Sequence, residues 1–524
     1  MYTIYITGSP WFAALLYGFR YSFAQIFIIW KENPTHMKKT LCTLLVLCGL
    51  LLSACGGNTT VDPTPTKSPS DNTVPTDTAT ETETEPVDRT YLDDLPDGLD
   101  YGGYDFRVLL SEGSNLPTGD TGAWLNYVEM EGETGEPIND AAWKRNLAVE
   151  ERLNVKITAH EDAKWGDILK LLSKTIQAGE DVYDMVCPPS TESYTSLLVD
   201  HALYDVAQSK YMNLEKGYYR HQMIETYRLG SHVYLFTGTF PYPIFGSPYM
   251  VVNLDAWNDR GLPDPYELVR SGEWTHAKFM ECIGDVYEDV NGDGKRDPGD
   301  FYGLGTNNAS AVLKFMYHTY GGSVVETTPN GFSFTLNSEK SQKIIEKIVE
   351  IAAANGFRDN LTLEHGNFLL YLYPSSFFRL RDLTFNYGIL PSPKLDETQA
   401  EYITYACGSV LAVPVTISDA DRTTAIIEAL FSATHTYMAD VFSNTFVENK
   451  LLRDKGSQEM YRLITDTAYY EFTRNIDPSG GTYYNMKPLE NLVSKKTTDL
   501  ASAWAKIEEK VTKAYNEFYH EMVD

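Results

Sequence analysis

The sequence predicts an α/β fold in two lobes, and three observations predict it. The chain has 524 residues, more than one ordinary core accommodates, so its folded part divides. Its first folded stretch alternates strand, helix, strand, helix, strand between Tyr104 and Val186, the pattern of a parallel sheet with helices on its faces. A connector from Thr237 to Gly246 (TGTFPYPIFG) mixes Pro, Gly and aromatic residues between two apolar strands, as expected where a chain crosses between lobes.

The body is preceded by an address and a tether. Residues 1–36 read as an upstream extension. Met37-Lys38-Lys39, the apolar run Leu41 to Leu52 and the box Leu52-Ser53-Ala54-Cys55 have the layout of a secretory signal over 37–54. The box is similar to that of bacterial lipoproteins, which implies that Cys55 is acylated and becomes the mature N-terminus, with two chains giving a stable membrane anchor. The apolar run is shorter than the ~20 residues a transmembrane helix needs. Residues 55–101, rich in Thr, Pro and acidic side chains, bury too little to offset ordering entropy and read as a disordered tether.

In the body, Tyr104 to Leu110 (YDFRVLL) predicts the first strand. Ile138, Ala142, Arg145, Val149 and Leu153 recur at helical spacing, and Asn154 to Ile157 gives a second strand. A helix over Asp167 to Ala178 carries Ile168, Leu171, Leu172 and Ile176 on one face, with Gly179 as its stop. Val182 to Val186 (VYDMV) is the third strand. Ligands of such sheets collect beyond the carboxyl ends of the strands, so the following loop, Ser190-Thr191-Glu192-Ser193-Tyr194, is a candidate site wall. Strands are expected at 233–236 and 249–253, and Thr275 is placed to cap a helix carrying Phe279, Met280 and Ile283. Further on come a helix at 338–354, strands at 386–390 and 408–413, a helix from Asp419 and an amphipathic helical C-terminus.

Composition excludes some partners. A formal net charge of -29 argues against nucleic acid, which needs a concentrated basic face. Cys187, Cys282 and Cys407 form no CxxC pair, so they read as free buried thiols rather than a zinc or redox site. No phosphate loop, GxSxG elbow or HExxH motif occurs, and the expectation is a protein that is not an enzyme. With 36 Tyr, 23 Phe and 8 Trp, the chain is rich in faces that stack on the C–H faces of sugars.

One stretch carries metal chemistry. Asp289 to Asp300 (DVNGDGKRDPGD) places Asp289, Asn291, Asp293, Asp297 and Asp300 at positions 1, 3, 5, 9 and 12 of a calcium loop, with Gly294 at position 6 for the sharp turn. Lys295, at position 7, would add its backbone carbonyl. Calcium is therefore the expected ion, with a structural role. Without it the carboxylates would repel one another.

An ordered set of segments carries a family resemblance: Glu136-Pro137-Ile138-Asn139-Asp140-Ala141, Tyr183-Asp184-Met185-Val186, Asn253-Leu254-Asp255-Ala256-Trp257, Gly272-Glu273-Trp274-Thr275, Asn291-Gly292-Asp293-Gly294 with Tyr302-Gly303-Leu304, and Tyr387-Gly388-Ile389-Leu390-Pro391. Over roughly Tyr104 to Glu471 the chain resembles the family 1, carbohydrate-associated extracellular solute-binding proteins of bacterial ABC importers. The resemblance implies a periplasmic-binding-protein-like fold of type II, with a hinge and a ligand held between the lobes. Lobe 1 would comprise 102–238 and 410–455, and lobe 2 would comprise 239–409 and 456–524. The implied ligand contacts are Ser190, Thr191, Glu192 and Tyr194, then Thr239, Tyr242 and Phe245 of the connector, then Phe377, Phe378 and Arg379. It further implies a monomer that captures a carbohydrate and docks on permease subunits at the outer face of the cell membrane. A surface glycan hydrolase or lyase, and a sensing or adhesion lipoprotein, remain the alternatives. The chain departs from relatives at Tyr218-Tyr219, where Trp-Trp is frequent, at Gly238-Thr239 for Gly-Asp, and at His276.

Overall fold

The computed structural model describes residues 92–115, 126–189, 192–241, 249–328, 331–372, 377–406, 408–480 and 487–523. The chain divides into two units, Met1–Glu85 and Pro86–Asp524, and every described residue belongs to the second. The expectations for the leader, for Cys55 and for most of the tether lie outside the described residues.

Lobe 1 is built on β1 (Tyr104–Ser111), flanked in parallel by β2 (Val155–Ala163) and β3 (Met185–Val186) in the order β2-β1-β3. From Val108 onward β1 is buried on both faces, as a strand covered by helices on each side must be. Helix α1 (Pro137–Leu153) starts where Glu136 accepts the Asn139 amide and Pro137 fixes the first turn, and it ends at Asn154 in the left-handed region. Its buried stripe is the predicted one, Arg145 included. Helix α2 (Ile168–Gln177) covers the sheet beside it, and the short helices α3 (Thr195–Val199) and α4 (His221–Tyr227) follow.

Lobe 2 holds β4 (Met250–Asn253), β5 (Tyr287–Glu288), β6 (Phe301–Gly305), β9 (Phe357–Arg358), β10 (Phe368–Leu372) and β11 (Tyr387–Leu390). Their order is β11-β4-β10-β6-β5, with β9 also on β6. Strands β6, β9 and β10 run parallel, while β4 opposes β10 and β11. Around them lie α5 (Leu254–Asp259), α6 (Pro265–Arg270), α7 (His276–Ile283), α8 (Ala309–Thr319) and α9 (Glu339–Ala353), with a separate hairpin of β7 (Val325–Thr328) and β8 (Gly331–Phe334). Thr275 occupies the cap position of α7 but makes no side-chain capping bond, contrary to expectation.

Of the predicted connector, 237–241 follow the pass over 233–236 and the remainder lies outside the described residues. Around 233–236 and 408–413 the chain does not form ladders. Single bridges join Phe236 to Leu411 and Val186 to Ala412, because neither pass runs beside its neighbour long enough for more. The predicted strand over 182–186 shortens to Met185–Val186 for the same reason. Strand β12 (Thr404–Tyr405), on the return crossing, pairs in parallel with β13 (Ala468–Tyr469). Helix α10 (Ala420–Asp440) then packs on α1 and continues in wide π-helical turns over Val441–Leu451, before α11 (Lys455–Asp466) joins lobe 2 beside β11.

The C-terminal helices were expected on lobe 2 alone. Helix α12 (Lys487–Lys495) does pack on α8 and α9, followed by α13 (Leu500–Ala505). Helix α14 (Glu508–Val523), however, touches both lobes. Its buried face meets β8, it also packs on α3, and Glu521 lies 3.1 Å from His201. A stripe of Val511, Tyr515, Phe518, Tyr519 and Met522 runs the length of that helix, so one neighbour cannot cover it.

The Tyr218-Tyr219 departure is structural. Both rings are buried, and both hydroxyls donate to Glu428 of α10. Burial raises the Glu428 carboxyl from 4.5 to about 6, against the pull of the two tyrosine hydroxyls. The folded state therefore holds this proton more tightly than the unfolded chain between those values. The group's contribution to stability is full below pH 4.5 and is lost as pH rises to about 6. The loss is about 2 kcal/mol. Melting curves across pH 4 to 8 should show this decline in the wild type and not in Glu428→Gln.

Candidate functional site

Parallel strands aim their carboxyl ends one way, and in lobe 1 three loops leave from that edge. Strand β1 ends at Ser111, which is buried and whose hydroxyl has no hydrogen-bond partner among the described residues. Beyond it, Asn126 reaches the Ser114 hydroxyl and accepts from the Cys187 thiol at 3.4 Å. Strand β2 runs into Lys164-Trp165-Gly166, where Trp165 is 51% exposed. Strand β3 runs into Cys187-Pro188-Pro189 and, across 190–191, to Glu192.

Trp165 and Glu192 come from different loops and meet through Gly166. Burial raises the half-buried Glu192 carboxyl, while the Gly166 amide and Lys170 pull it down. One of its oxygens, Oε1, is buried and has no partner among the described residues. An unpartnered buried acceptor costs about 1–3 kcal/mol, so Glu192 Oε1 is an atom that a donor reaching it would satisfy.

The other sequence-predicted contacts fall differently. Tyr194 is fully buried and its hydroxyl donates to the Val410 carbonyl, so its ring fills the lobe 1 core and does not line a surface. Thr239 donates to the Phe431 carbonyl at 2.9 Å, so its hydroxyl is spent on tying the connector to α10. Beside it Gly238 is required: a Cβ there would stand 2.1 Å from the Tyr218 carbonyl oxygen and 2.7 Å from the Phe431 ring. Arg379 lies in a short turn, Phe377–Asp382, and is paired through two nitrogens with Glu364. The side chains of Phe377 and Phe378, and Ser190, Thr191, Tyr242 and Phe245, lie outside the described residues. Trp165 was missed, although applying the carboxyl-end rule to β2 as well as β3 would have found it.

The acidic loop lies elsewhere. It leads from β5 into the amino end of β6, whereas ligand loops leave the carboxyl ends. Its side chains curl the backbone: Asp289 accepts from Gly292 and Gly294, Asn291 from Asp293, Asp293 from Lys295, and Asp297 from Gly299. Asp300 is fully buried, with Oδ2 receiving the Asp297 amide and the Tyr287 hydroxyl, and with Oδ1 unpartnered among the described residues. Among those residues no three carboxylate, imidazole or thiol groups gather as a metal set. A cavity of about 720 Å³ opens on the same lobe, between Arg296, Ala309, Asn355, Arg358 and Lys496, away from the lobe 1 edge. Cys187 and Cys282 are free and buried.

This architecture is the two-lobed, periplasmic-binding-protein-like α/β fold, with its crossings between the lobes. No protein-family profile matches the sequence, and no curated relative matches it. Solved structures do resemble it. The chain is similar to the ABC substrate-binding protein Lmo0181 from Listeria monocytogenes in complex with cycloalternan, with TM-score 0.51, 12% identity, and 78% of this chain and 98% of that one covered. It is similar at TM-score 0.51 and 12% identity to the galacto-N-biose/lacto-N-biose I-binding protein of Bifidobacterium longum in complex with lacto-N-biose, over 81% and 99% of the two chains. UgpB from Mycobacterium tuberculosis in complex with glycerophosphocholine matches at TM-score 0.50 and 15% identity, over 79% and 99%. These likenesses establish the fold. Among the described residues no helix is long and apolar enough to cross a membrane.

Proposed function

We propose that this protein captures a carbohydrate outside the cell and delivers it to the permease of an ABC importer. The observation that carries the reading is the lobe 1 edge, where the loop after β2 presents exposed Trp165 and its Gly166 amide reaches Glu192 of the loop after β3, in a fold whose solved neighbours include saccharide-binding transport proteins. The ring would stack on a sugar face while Glu192 and Ser111 take hydroxyls. Both lobes touch a ligand only when closed, so binding shifts the open–closed balance toward the closed form, which the permease reads. Secretion, acylation of Cys55 and action as a membrane-anchored monomer belong to the same proposal.

A thermal-shift and calorimetric panel of maltotetraose, cycloalternan, lacto-N-biose and glycerophosphocholine tests it. The expected result is saturable binding of a saccharide without turnover. Binding of glycerophosphocholine alone would sink the carbohydrate assignment.

Calcium at the acidic loop belongs to the same proposal: in this structure its side chains accept backbone amides and do not gather as a metal set, so an ion would have to draw them in, with the buried free oxygen of Asp300 as an atom it would engage. Asp289, Asn291, Asp293, Asp297, Asp300 and the Lys295 carbonyl would hold the ion, which would neutralise the carboxylates and fasten the loop to β6. Removing it with a chelator should lower the melting temperature by a few degrees, corresponding to about 3 kcal/mol for an ion at a hundredfold excess over its Kd. Asp300→Asn should abolish that difference. An unchanged melting curve in chelator would remove calcium from the account.

A further inference from the structure

The segment between α11 and α12 is not used by the proposed capture mechanism, yet it is unusually buried. Glu471, Thr473, Arg474, Asn475, Asp477 and Ser479 are all nearly inaccessible. It starts on the hinge, where β13 pairs with β12 of the return crossing. Glu471 then accepts from the Tyr469 hydroxyl at 2.7 Å and lies 3.7 Å from His318 of α8, inside lobe 2. The Phe472 ring packs on Phe332 of β8 and Tyr515 of α14, and on its other side meets Tyr227 of α4 in lobe 1.

At Asn475 the segment takes hold of lobe 1. Its Nδ2 donates to the Glu192 carbonyl at 2.8 Å, and its own carbonyl accepts the Tyr194 amide at 2.8 Å. Its Oδ1 accepts the Tyr227 hydroxyl at 2.8 Å. Two residues on, the Asp477 amide donates to the Thr195 hydroxyl at 2.8 Å. The loop so held, Glu192 to Thr195, carries the Glu192 carboxylate of the candidate site, one oxygen of which has no partner among the described residues. The Asn475 side-chain amide holds the Glu192 carbonyl and its main-chain carbonyl holds the Tyr194 amide, so the backbone just after Glu192 is fixed in a loop that joins no strand ladder and is otherwise anchored by the buried Tyr194 ring.

We propose that residues 471–479 form a strap from lobe 2 to the ligand-facing loop of lobe 1, and that Asn475 is the positioning residue for Glu192. The role in ligand capture rests on the proposed function; the mechanical role does not. The strap makes the loop's order depend on how the lobes stand. Opening them pulls on Asn475 and releases Glu192, and a ligand that fixes Glu192 draws the strap, and lobe 2 with it, inward.

Hydrogen exchange of the ligand-free protein tests the strap without any ligand. Asn475→Asp keeps the acceptor for Tyr227 and removes the donor to Glu192. It should speed exchange across 192–199 by about tenfold and leave 104–111 and 301–305 unchanged. Tyr227→Phe, which keeps the ring, should speed 192–199 by less. Unchanged exchange across 192–199 in Asn475→Asp overturns the strap, and so does an equal acceleration across 104–111, which would signal general destabilisation. Maltotetraose supplies the second arm: where it binds the wild type, Asn475→Asp should weaken it about tenfold at a temperature where the variant is folded. Equal affinity in wild type and variant overturns the positioning role. If no compound of the panel binds the wild type, the carbohydrate reading fails and the exchange result still decides the strap.

Discussion

Arg145→Ala should be among the most destabilising single substitutions in the chain, at about 3–5 kcal/mol, read as a shift in the denaturant midpoint. The residue is fully buried on the core stripe of α1. Its Nη2 donates to the Tyr127 and Val128 carbonyls, its Nε to Asn146, and its Nη1 to the Met438 sulfur at 3.3 Å. The guanidinium also stands 5.1 Å from the Phe240 ring, on the crossing between lobes. No carboxylate is among these partners. The charge is solvated by carbonyls, an amide oxygen and a ring. Truncation strands those acceptors in the core and leaves a cavity between α1, α10 and the crossing. Arg145→Met separates the two causes, since it refills the volume and restores no hydrogen bond. A methionine variant as stable as the wild type would show that packing, and not the hydrogen bonds, sets the cost.

Trp165→Ala should have the largest effect on binding, with affinity for the saccharide that binds the wild type falling at least about thirtyfold. At 51% exposed the ring is half covered, so truncation should also cost stability, up to about 2 kcal/mol, and affinity is compared at temperatures where all variants are folded. Trp165→Phe should recover part of the affinity because it keeps an apolar face. Calorimetry on the three proteins checks this. Equal affinity across them would move the ligand away from the β2 loop and leave the fold untouched.

The helices were legible because their periodicity is local. The stripe through Ile138, Ala142, Arg145, Val149 and Leu153 lies within one segment, and the structure has it in place, whereas the Glu136 cap and the left-handed Asn154 stop were not read and the Thr275 cap read for α7 does not form. Helices α9 and α10, capped by Ser338 and Asp419, are in place as well. The site was legible only in outline. The carboxyl-end rule pointed to the loop holding Glu192 and Tyr194, but both residues read alike as polar loop positions. Tyr194 is set apart by the Val410 carbonyl, which lies more than two hundred positions away and takes up its hydroxyl.

By itself the sequence determined the α/β class, the alternation that makes lobe 1 a parallel sheet and the oxygen spacing of the acidic loop. Each follows from periodicity, capping or spacing within a few turns of chain. Only the tertiary structure decided that Tyr194 faces inward and Trp165 outward, that Tyr218 and Tyr219 clasp Glu428, that α14 spans both lobes, and that Asn475 holds the loop of Glu192. Those outcomes depend on which distant surfaces meet. A side chain's environment is set by the neighbours that long-range packing brings to it, and a local pattern of residues does not name them.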